Sequence, residues 1–130
     1  MSNIPHVEPG EFQKLVGYKI TEWDTNHAVI LLEIKKHHAN RHGHAHGGVL
    51  MTVLDAACTR AGAVCPDTGN IRGASTVSMT TNFIRTAEDT NLRVKARKTG
   101  GGRRIFFATA DAFDDFNNLI ASCVAPCRYK

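Results

Sequence analysis

Asp55 is the residue whose chemistry stands out in this sequence. It is the only charged residue between His46 and Arg60, inside an otherwise apolar, helix-forming segment. Burying a carboxylate is costly unless the group is paired or used, and such groups concentrate at functional sites. Two interpretations follow. Asp55 acts in catalysis as a general base or nucleophile, or it has no catalytic role and either pairs with Arg60 or faces solvent.

The glycine pair Gly47-Gly48 lies where this helix is expected to begin. Unpaired N–H groups at a helix start point toward a bound carbonyl oxygen or anion, and glycine lets a ligand approach the backbone. An oxyanion site of this kind can lower an acyl-transfer barrier by about 3 kcal/mol. Thr59, four residues after Asp55, could orient the carboxylate or a water, although such a hydroxyl often bonds back to its own helix.

The segment that carries these residues is predicted to be a central helix. It is apolar nearly all round, which is typical of a helix in the middle of a protein, and Pro66 must end it at or before Cys65. A short helix and a hairpin precede it, and a polar loop over 37–46 leads into it. The other predicted elements are a helix at 9–16 and strands at 19–23, 27–36, 74–84, 91–99, 103–113 and 119–129.

This order of elements predicts an α+β fold in which a long antiparallel sheet wraps around one central helix. The helix can bury its whole surface only if the sheet curls around it. A chain of 130 residues suits a single domain, so residues 1–130 are expected to form one unit.

The net charge of +4 and the sequence pI of about 9.0 reflect an excess of basic residues between Arg85 and Arg104. Few aromatic residues accompany them, which argues against a nucleic-acid partner. The sequence has no apolar run of the roughly 20 residues that a membrane span needs and no signal peptide, so we expect a cytoplasmic protein with no membrane partner. The four cysteines fall in no metal or redox spacing and are expected to be reduced, mostly buried thiols.

Asn40, Gly43, His46-Gly47-Gly48 and Asp55 together form a motif. It resembles the signature of the hotdog-fold thioesterases, specifically the PaaI-like branch of the phenylacetate pathway. The segment 76–87 resembles the third strand of that family and the turn after it. One departure is that the family usually has Phe-x-x-Pro there, whereas Thr86 stands in the proline position of this chain.

The resemblance implies hydrolysis of an acyl-CoA thioester with an aryl or medium acyl group, without metal or cofactor. Asp55 would be the general base or nucleophile, and the Gly47 N–H would polarise the carbonyl. It also implies a homodimer, or a tetramer made of two dimers, with sites at the subunit interface. The resemblance also implies Asn40 and His46 for positioning water, substrate or the helix entrance, and Thr59 and Thr76 as secondary polar groups. Gly48 is expected at the substrate, and Phe83 lines an acyl pocket or belongs to the core. In the basic segment, Arg85, Arg103 and Arg104 lie near turns and could bind the phosphates of coenzyme A.

Several alternatives remain open at this point. His42, His44 and His46 could bind zinc or nickel if the loop is extended, although exposed loop histidines are the favoured interpretation for His37, His38, His42 and His44. The same fold could carry an enoyl-CoA hydratase or dehydratase that uses His46 with Asp55, or a protein that binds acyl-CoA without turnover. Cys58 could be a nucleophile, but a packed thiol is the favoured interpretation.

Overall fold

Helix α2, Gly47–Ala61, occupies the centre of the molecule, in a computed structural model that describes residues 4–130. It contacts six strands and buries side chains on most of its circumference, as its apolar composition predicts. Small residues let the sheet approach closely, since Ala57 and Ala61 of the helix face a sheet that contributes Ala108 and Ala110. The buried α2 residues are Leu50, Val53, Leu54, Ala56, Ala57, Cys58 and Ala61.

The strands follow one another in the predicted order, except that the strand predicted at 74–84 is divided into two. The short helix α1 is Glu11–Val16, and a 3-10 turn at Lys36–His38 follows the first hairpin. None of the helices in residues 4–130 has the length and apolar character needed to cross a membrane. The strands are β1 Lys19–Asp24, β2 His27–Glu33, β3 Ala74–Thr76, β4 Thr80–Phe83, β5 Asn91–Gly101, β6 Ile105–Phe113 and β7 Leu119–Tyr129.

The seven strands of residues 4–130 belong to one antiparallel sheet in the order β1-β2-β5-β6-β7-β3, with β4 also pairing with β7. The sheet curls around α2, so the predicted α+β architecture is confirmed. Residues of β5 and β6 alternate between buried and exposed along each strand, as expected of a sheet with one covered face. Arg93, Lys95 and Arg97 lie on the outer face of β5, which confirms the interpretation of a solvated face.

The strand predicted at 74–84 is in fact two short strands, β3 and β4, at one edge of the sheet. Both pair with β7, and the break lies opposite Pro126. The Pro126 carbonyl accepts a hydrogen bond from the Val77 N–H at 2.9 Å, but proline has no N–H to return to the edge strand. The missing donor therefore interrupts the ladder between Thr76 and Thr80.

The polar loop before α2 is fixed by His38, which the sequence interpretation wrongly left exposed. Its side chain is only 3% exposed. Nδ1 accepts from the Lys35 N–H at 2.9 Å, so Nε2 carries the hydrogen and donates to the Val16 carbonyl at 2.6 Å. A histidine with both ring nitrogens bonded to backbone groups can be buried at low cost. The polar residues around His38 in the sequence give no indication of this burial.

The end of α2 is fixed by two aromatic residues of the sheet. The Tyr129 hydroxyl donates to the Gly62 carbonyl at 2.7 Å, and the fully buried Phe106 ring lies 4.9 Å from the Tyr129 ring. A Cβ atom on Gly62 would lie 2.4 Å from the Phe106 ring. The following residues 66–73 are exposed.

Gly62→Ala is therefore expected to destabilise the protein, because the added methyl group overlaps the fully buried Phe106 ring. Overpacking of this kind costs about 1–3 kcal/mol of the free energy of unfolding. Urea denaturation measures it. Gly100→Ala is the matched control, since a Cβ atom there meets nothing within 4 Å. Equal stability of the two variants would contradict this account.

Candidate active site

Asp55 lies on the side of α2 that faces the edge strand β3. The Thr76 hydroxyl donates a hydrogen bond to Asp55 Oδ1, which joins the helix to that strand. Among the ion pairs in residues 4–130, none joins Asp55 to Arg60. Asp55 is half-buried rather than fully solvated, so neither a salt bridge nor free solvation accounts for its position.

A cavity of about 440 Å³ opens beside the Asp55 carboxylate. Thr59 also lines it, but its hydroxyl bonds back to the Asp55 and Ala56 carbonyls at 3.3 and 3.1 Å. Thr76, rather than Thr59, is thus the hydroxyl in contact with the carboxylate. The full lining is Phe12, Tyr18, Thr52, Asp55, Ala56, Thr59, Arg60, Ala74, Ser75 and Thr76.

The start of α2 leaves one backbone N–H without an acceptor among the described residues. His46 is the N-cap, and its Nδ1 accepts from the Gly48 N–H at 2.8 Å. The Val49 and Leu50 N–H groups both donate to the His46 carbonyl. Within residues 4–130 the Gly47 N–H alone in this first turn has no acceptor, so it is the donor available to a ligand.

A second cavity, of about 320 Å³, lies at this free N–H. The Phe83 ring forms one wall, 3.5 Å from the position that a Cβ atom on Gly47 would take. Glycine therefore leaves a narrow gap between the backbone and the ring. The cavity is lined by Ala45, Gly47, Leu50, Phe83, Ile84, Arg85 and Thr86.

Asn40 and Gly43 build the loop that presents His46. The Asn40 side-chain oxygen accepts from the His42 and His44 N–H groups at 2.9 and 3.2 Å. Gly43 has φ of +83°, a conformation that favours glycine, and its N–H donates to the Asn40 carbonyl. These two motif residues thus position the helix start, and the Asn40 side-chain oxygen is already occupied by the loop.

The Gly47 N–H and the Asp55 carboxylate do not meet within one chain. They are eight residues apart on a straight helix, which separates them by about 12 Å along its axis. They also line different cavities. A single carbonyl group therefore cannot contact both groups of the same chain.

The three arginines predicted at the phosphates are also separated. Arg85 lines the cavity at the start of α2. Arg103 and Arg104 precede β6 near the other end of the helix, where the Arg104 carbonyl accepts from the Tyr129 N–H. All three side chains are exposed.

The histidine loop does not gather into a metal site. His46 uses Nδ1 to cap α2, while His44 Nε2 lies 3.6 Å from a Glu88 oxygen. In the part of the chain that the structure describes, no three His, Cys, Asp or Glu side chains are grouped as metal ligands. The three-histidine arrangement considered from the sequence is therefore not formed here.

The Cys58 thiol of α2 packs against β7, in agreement with the packed thiol favoured from the sequence. Its Sγ lies 3.6 Å from Cys123 Sγ, and both side chains are buried. The hydrogen bond with Cys123, together with burial, raises the pKa of the Cys58 thiol above its usual range. A thiol protonated at neutral pH is a poor nucleophile, so Cys58 is a core residue.

Besides Thr52, Ala56 and Ala74, sequence reasoning missed four side chains at the Asp55 cavity: Phe12, Tyr18, Arg60 and Ser75. Phe12, Tyr18 and Ser75 carry no motif signal. Arg60 does stand out in the sequence, because no acidic residue lies three or four positions away to pair with it on the helix.

A sequence model described as the thioesterase superfamily matches residues 42–121 of this chain. This range contains most of the motif, from Gly43 through Asp55, together with Thr76 and the edge strands. Among curated proteins, no sequence matches the chain significantly.

Solved structures with the same fold cover nearly the whole chain. A conserved protein, PA5202, from Pseudomonas aeruginosa is 25% identical with a TM-score of 0.84, covering 94% of this chain and 95% of its own. The E. coli PaaI protein from the phenylacetic acid degradation operon is 19% identical with a TM-score of 0.83, covering 93% and 85%. A hypothetical thioesterase with coenzyme A from Streptococcus pneumoniae is 19% identical with a TM-score of 0.77, covering 87% and 88%. The hotdog fold expected from the motif is confirmed.

We expect His46→Ala to lower the free energy of unfolding by about 0.5–2 kcal/mol, the usual effect of removing a helix cap. The Gly48 N–H loses its acceptor in this variant. His46→Asn is the matched control, since asparagine is a strong cap and should retain most of the stability. Thermal or urea unfolding measures both, and an unchanged His46→Ala protein would show that the ring does not act as a cap.

Proposed function

The chain belongs to the thioesterase superfamily, and on that premise we propose that it is an acyl-CoA thioesterase of the PaaI-like branch with Asp55 as its catalytic carboxylate. The observation that carries the proposal is the pairing of Asp55 with Thr76 at the side of a cavity, on a helix that otherwise buries apolar side chains. A carboxylate held in this way has a fixed direction and one oxygen left for a substrate or a water.

The proposed reaction needs one base and one oxyanion donor. Asp55 takes a proton from a water molecule, and the water oxygen attacks the thioester carbonyl. A backbone N–H stabilises the negative oxygen that forms. The C–S bond then breaks, the thiolate of coenzyme A leaves and is protonated, and the products are a carboxylic acid and a thiol. Direct attack by Asp55 to form an anhydride is the other route, and it uses the same two groups.

Because the Gly47 N–H and Asp55 are about 12 Å apart along one helix, we propose that each site uses Gly47 of one chain and Asp55 of a second. The edge formed by β3 and β4 supports this arrangement. Its outer side has no strand partner within the described chain, and unpaired edges readily pair with another copy. Phe83, the last residue of β4, and Ile84, which follows it, have large apolar side chains that are 55% and 52% exposed.

The two ends of this edge carry the two halves of the site. Thr76, bonded to Asp55, is at the β3 end, whereas Phe83, next to Gly47, is at the β4 end. Two copies that pair antiparallel about a two-fold axis bring the β3 end of each onto the β4 end of the other. Gly47 of one subunit then approaches Asp55 of its partner.

The same pairing would bring the separated arginines closer together. Arg85 accompanies Gly47 at the β4 end, while Arg103 and Arg104 lie beside β7 where it pairs with the start of β3. Across a two-fold axis, Arg85 of one subunit faces the Arg103 and Arg104 end of the other. We propose that these guanidinium groups bind the phosphates of coenzyme A.

Asp55→Ala and Asp55→Asn are each expected to reduce kcat by about 100-fold or more, because both remove the base. A thiol-release assay on a panel of aryl and alkyl acyl-CoA substrates measures the loss. Asp67→Asn, an exposed carboxylate in the loop after α2, is the control and should retain wild-type turnover. Near-normal activity in both Asp55 variants would remove Asp55 from the chemistry.

Gly47→Pro tests the oxyanion donor, because it deletes one N–H at the first helical position, where proline is well tolerated. The preceding His46 has φ of −63° and ψ of 137°, which a following proline accepts. We expect kcat to fall by about 100- to 1,000-fold. Gly47→Ala keeps the N–H and adds a Cβ atom at ordinary contact distance, so it should lose far less activity.

Co-expression of the Gly47→Pro and Asp55→Ala chains under separate tags then tests the shared site. In the mixed dimer one of the two sites is intact, so a random mixture should recover roughly a quarter of wild-type activity although each variant alone is inactive. If the purified mixed dimer is as inactive as its parents, both groups act within one chain or in separate steps, and the composite site is wrong.

A further inference from the structure

The walls of the Asp55 cavity are unusually polar for a site that would receive an alkyl or aryl chain. Four lining side chains carry aliphatic hydroxyls, and one carries a positive charge. Binding sites for small molecules are mostly apolar, with a few polar groups that fix the orientation of the ligand. The polar groups here are Thr52, Thr59, Ser75, Thr76 and the guanidinium of Arg60.

The Arg60 side chain folds back along α2 and lines the same cavity as Asp55. Its Nη1 donates to the Ala56 carbonyl at 3.1 Å, one turn back along the helix, and its Nη2 to the Gln13 side-chain oxygen at 3.4 Å. The rings of Tyr18 and Trp23 lie 6.0 and 5.8 Å from the guanidinium carbon. The cation is thus held in place by neutral groups, close to the level of Asp55 along the helix.

Arg60 has no anionic partner among the residues that the structure describes. Among the ion pairs formed by residues 4–130, none involves Arg60, although its side chain is half-buried. Its Nε is buried and forms no hydrogen bond there. A partly buried charge without a counter-ion is unfavourable, and each Nη retains a further N–H. The other charged group of the cavity, Asp55, is bonded to Thr76 instead.

We infer that the acyl group of the substrate ends in a second carboxylate, which Arg60 binds while Asp55 acts at the thioester. This inference rests on the proposed thioester hydrolysis and specifies its substrate class. The planar guanidinium matches a carboxylate well, and such charged hydrogen bonds are strong. An aryl or simple alkyl group would leave the cation unpaired.

The geometry favours a short spacer between the two ends of the acyl group. The guanidinium lies within about one helical turn, or about 5 Å, of the Asp55 level along the axis of α2, and both side chains line the same cavity of about 440 Å³. A thioester of a short dicarboxylic acid, such as glutaryl-CoA, is therefore the substrate class that we infer. Arg60 is therefore a specificity-determining residue, and the hydroxyls around it complete a polar lining.

The test compares glutaryl-CoA with valeryl-CoA, which has the same carbon chain without the second carboxylate. The wild-type full-length chain should have the higher kcat/KM for glutaryl-CoA. Arg60→Gln should lower kcat/KM for glutaryl-CoA by about 10- to 100-fold, the usual effect of losing a charge-assisted hydrogen bond, and change valeryl-CoA turnover little. Arg60→Lys keeps the positive charge but not the planar guanidinium. Its kcat/KM for glutaryl-CoA should therefore lie between those of the wild type and Arg60→Gln.

Gln13→Ala is the matched structural control. It removes the contact between Arg60 and α1 without altering charge, so the ratio of the two kcat/KM values should stay at the wild-type level. Equal losses on both substrates in Arg60→Gln, as in Gln13→Ala, would assign Arg60 to the packing of α1 and overturn the inference. A wild-type preference for valeryl-CoA would also overturn it.

Binding to the Asp55→Asn protein separates this inference from the proposed function. Isothermal titration with glutaryl-CoA and valeryl-CoA should give tighter binding of glutaryl-CoA, and Arg60→Gln in that background should abolish the difference. If wild type hydrolyses neither thioester but the Arg60-dependent binding preference persists, the hydrolase proposal fails and the ligand class stands. If hydrolysis occurs without any binding preference, only the ligand class fails.

Discussion

The fixed rise of an α-helix is the constraint on which the proposed chemistry depends. It places the Gly47 N–H and the Asp55 backbone about 12 Å apart along the helix axis, more than a rotation of the short Asp55 side chain can span. Each group is also tied to a different end of one sheet edge, through Phe83 and Thr76. In the proposed arrangement the two groups are therefore half-sites, which a second copy completes by pairing along the edge strands between them.

Much of this arrangement is readable in the sequence because it follows from strong local signals. The apolar run after Gly48 predicts a central helix, and a carboxylate in such a run must have a partner or a use. Alternation along β5 and β6 gives their inward and outward faces. The glycine and histidine at the start of α2 form the expected helix entrance, and His46 supplies the cap.

Contacts between distant residues could not be predicted, since periodicity does not report them. The division of the edge strand comes from Pro126, a residue of the neighbouring strand. His38 reads as one of several polar loop residues, and only the folded positions of Lys35 and Val16 make it a buried anchor. The partner of Asp55 is likewise found on β3 rather than four residues along its own helix.

The way α2 ends has a consequence for protein engineering. Phe106 and Tyr129 fix the last turn of the helix at Gly62, and Tyr129 also pairs with Ala74 at the start of β3. The segment between Gly62 and Ala74 is thus fixed at both ends by contacts with the sheet, and its residues 66–70 are exposed. A reporter peptide or affinity tag grafted into this surface loop should leave the spacing between Asp55 and Thr76 intact, since the loop length does not determine where either element lies.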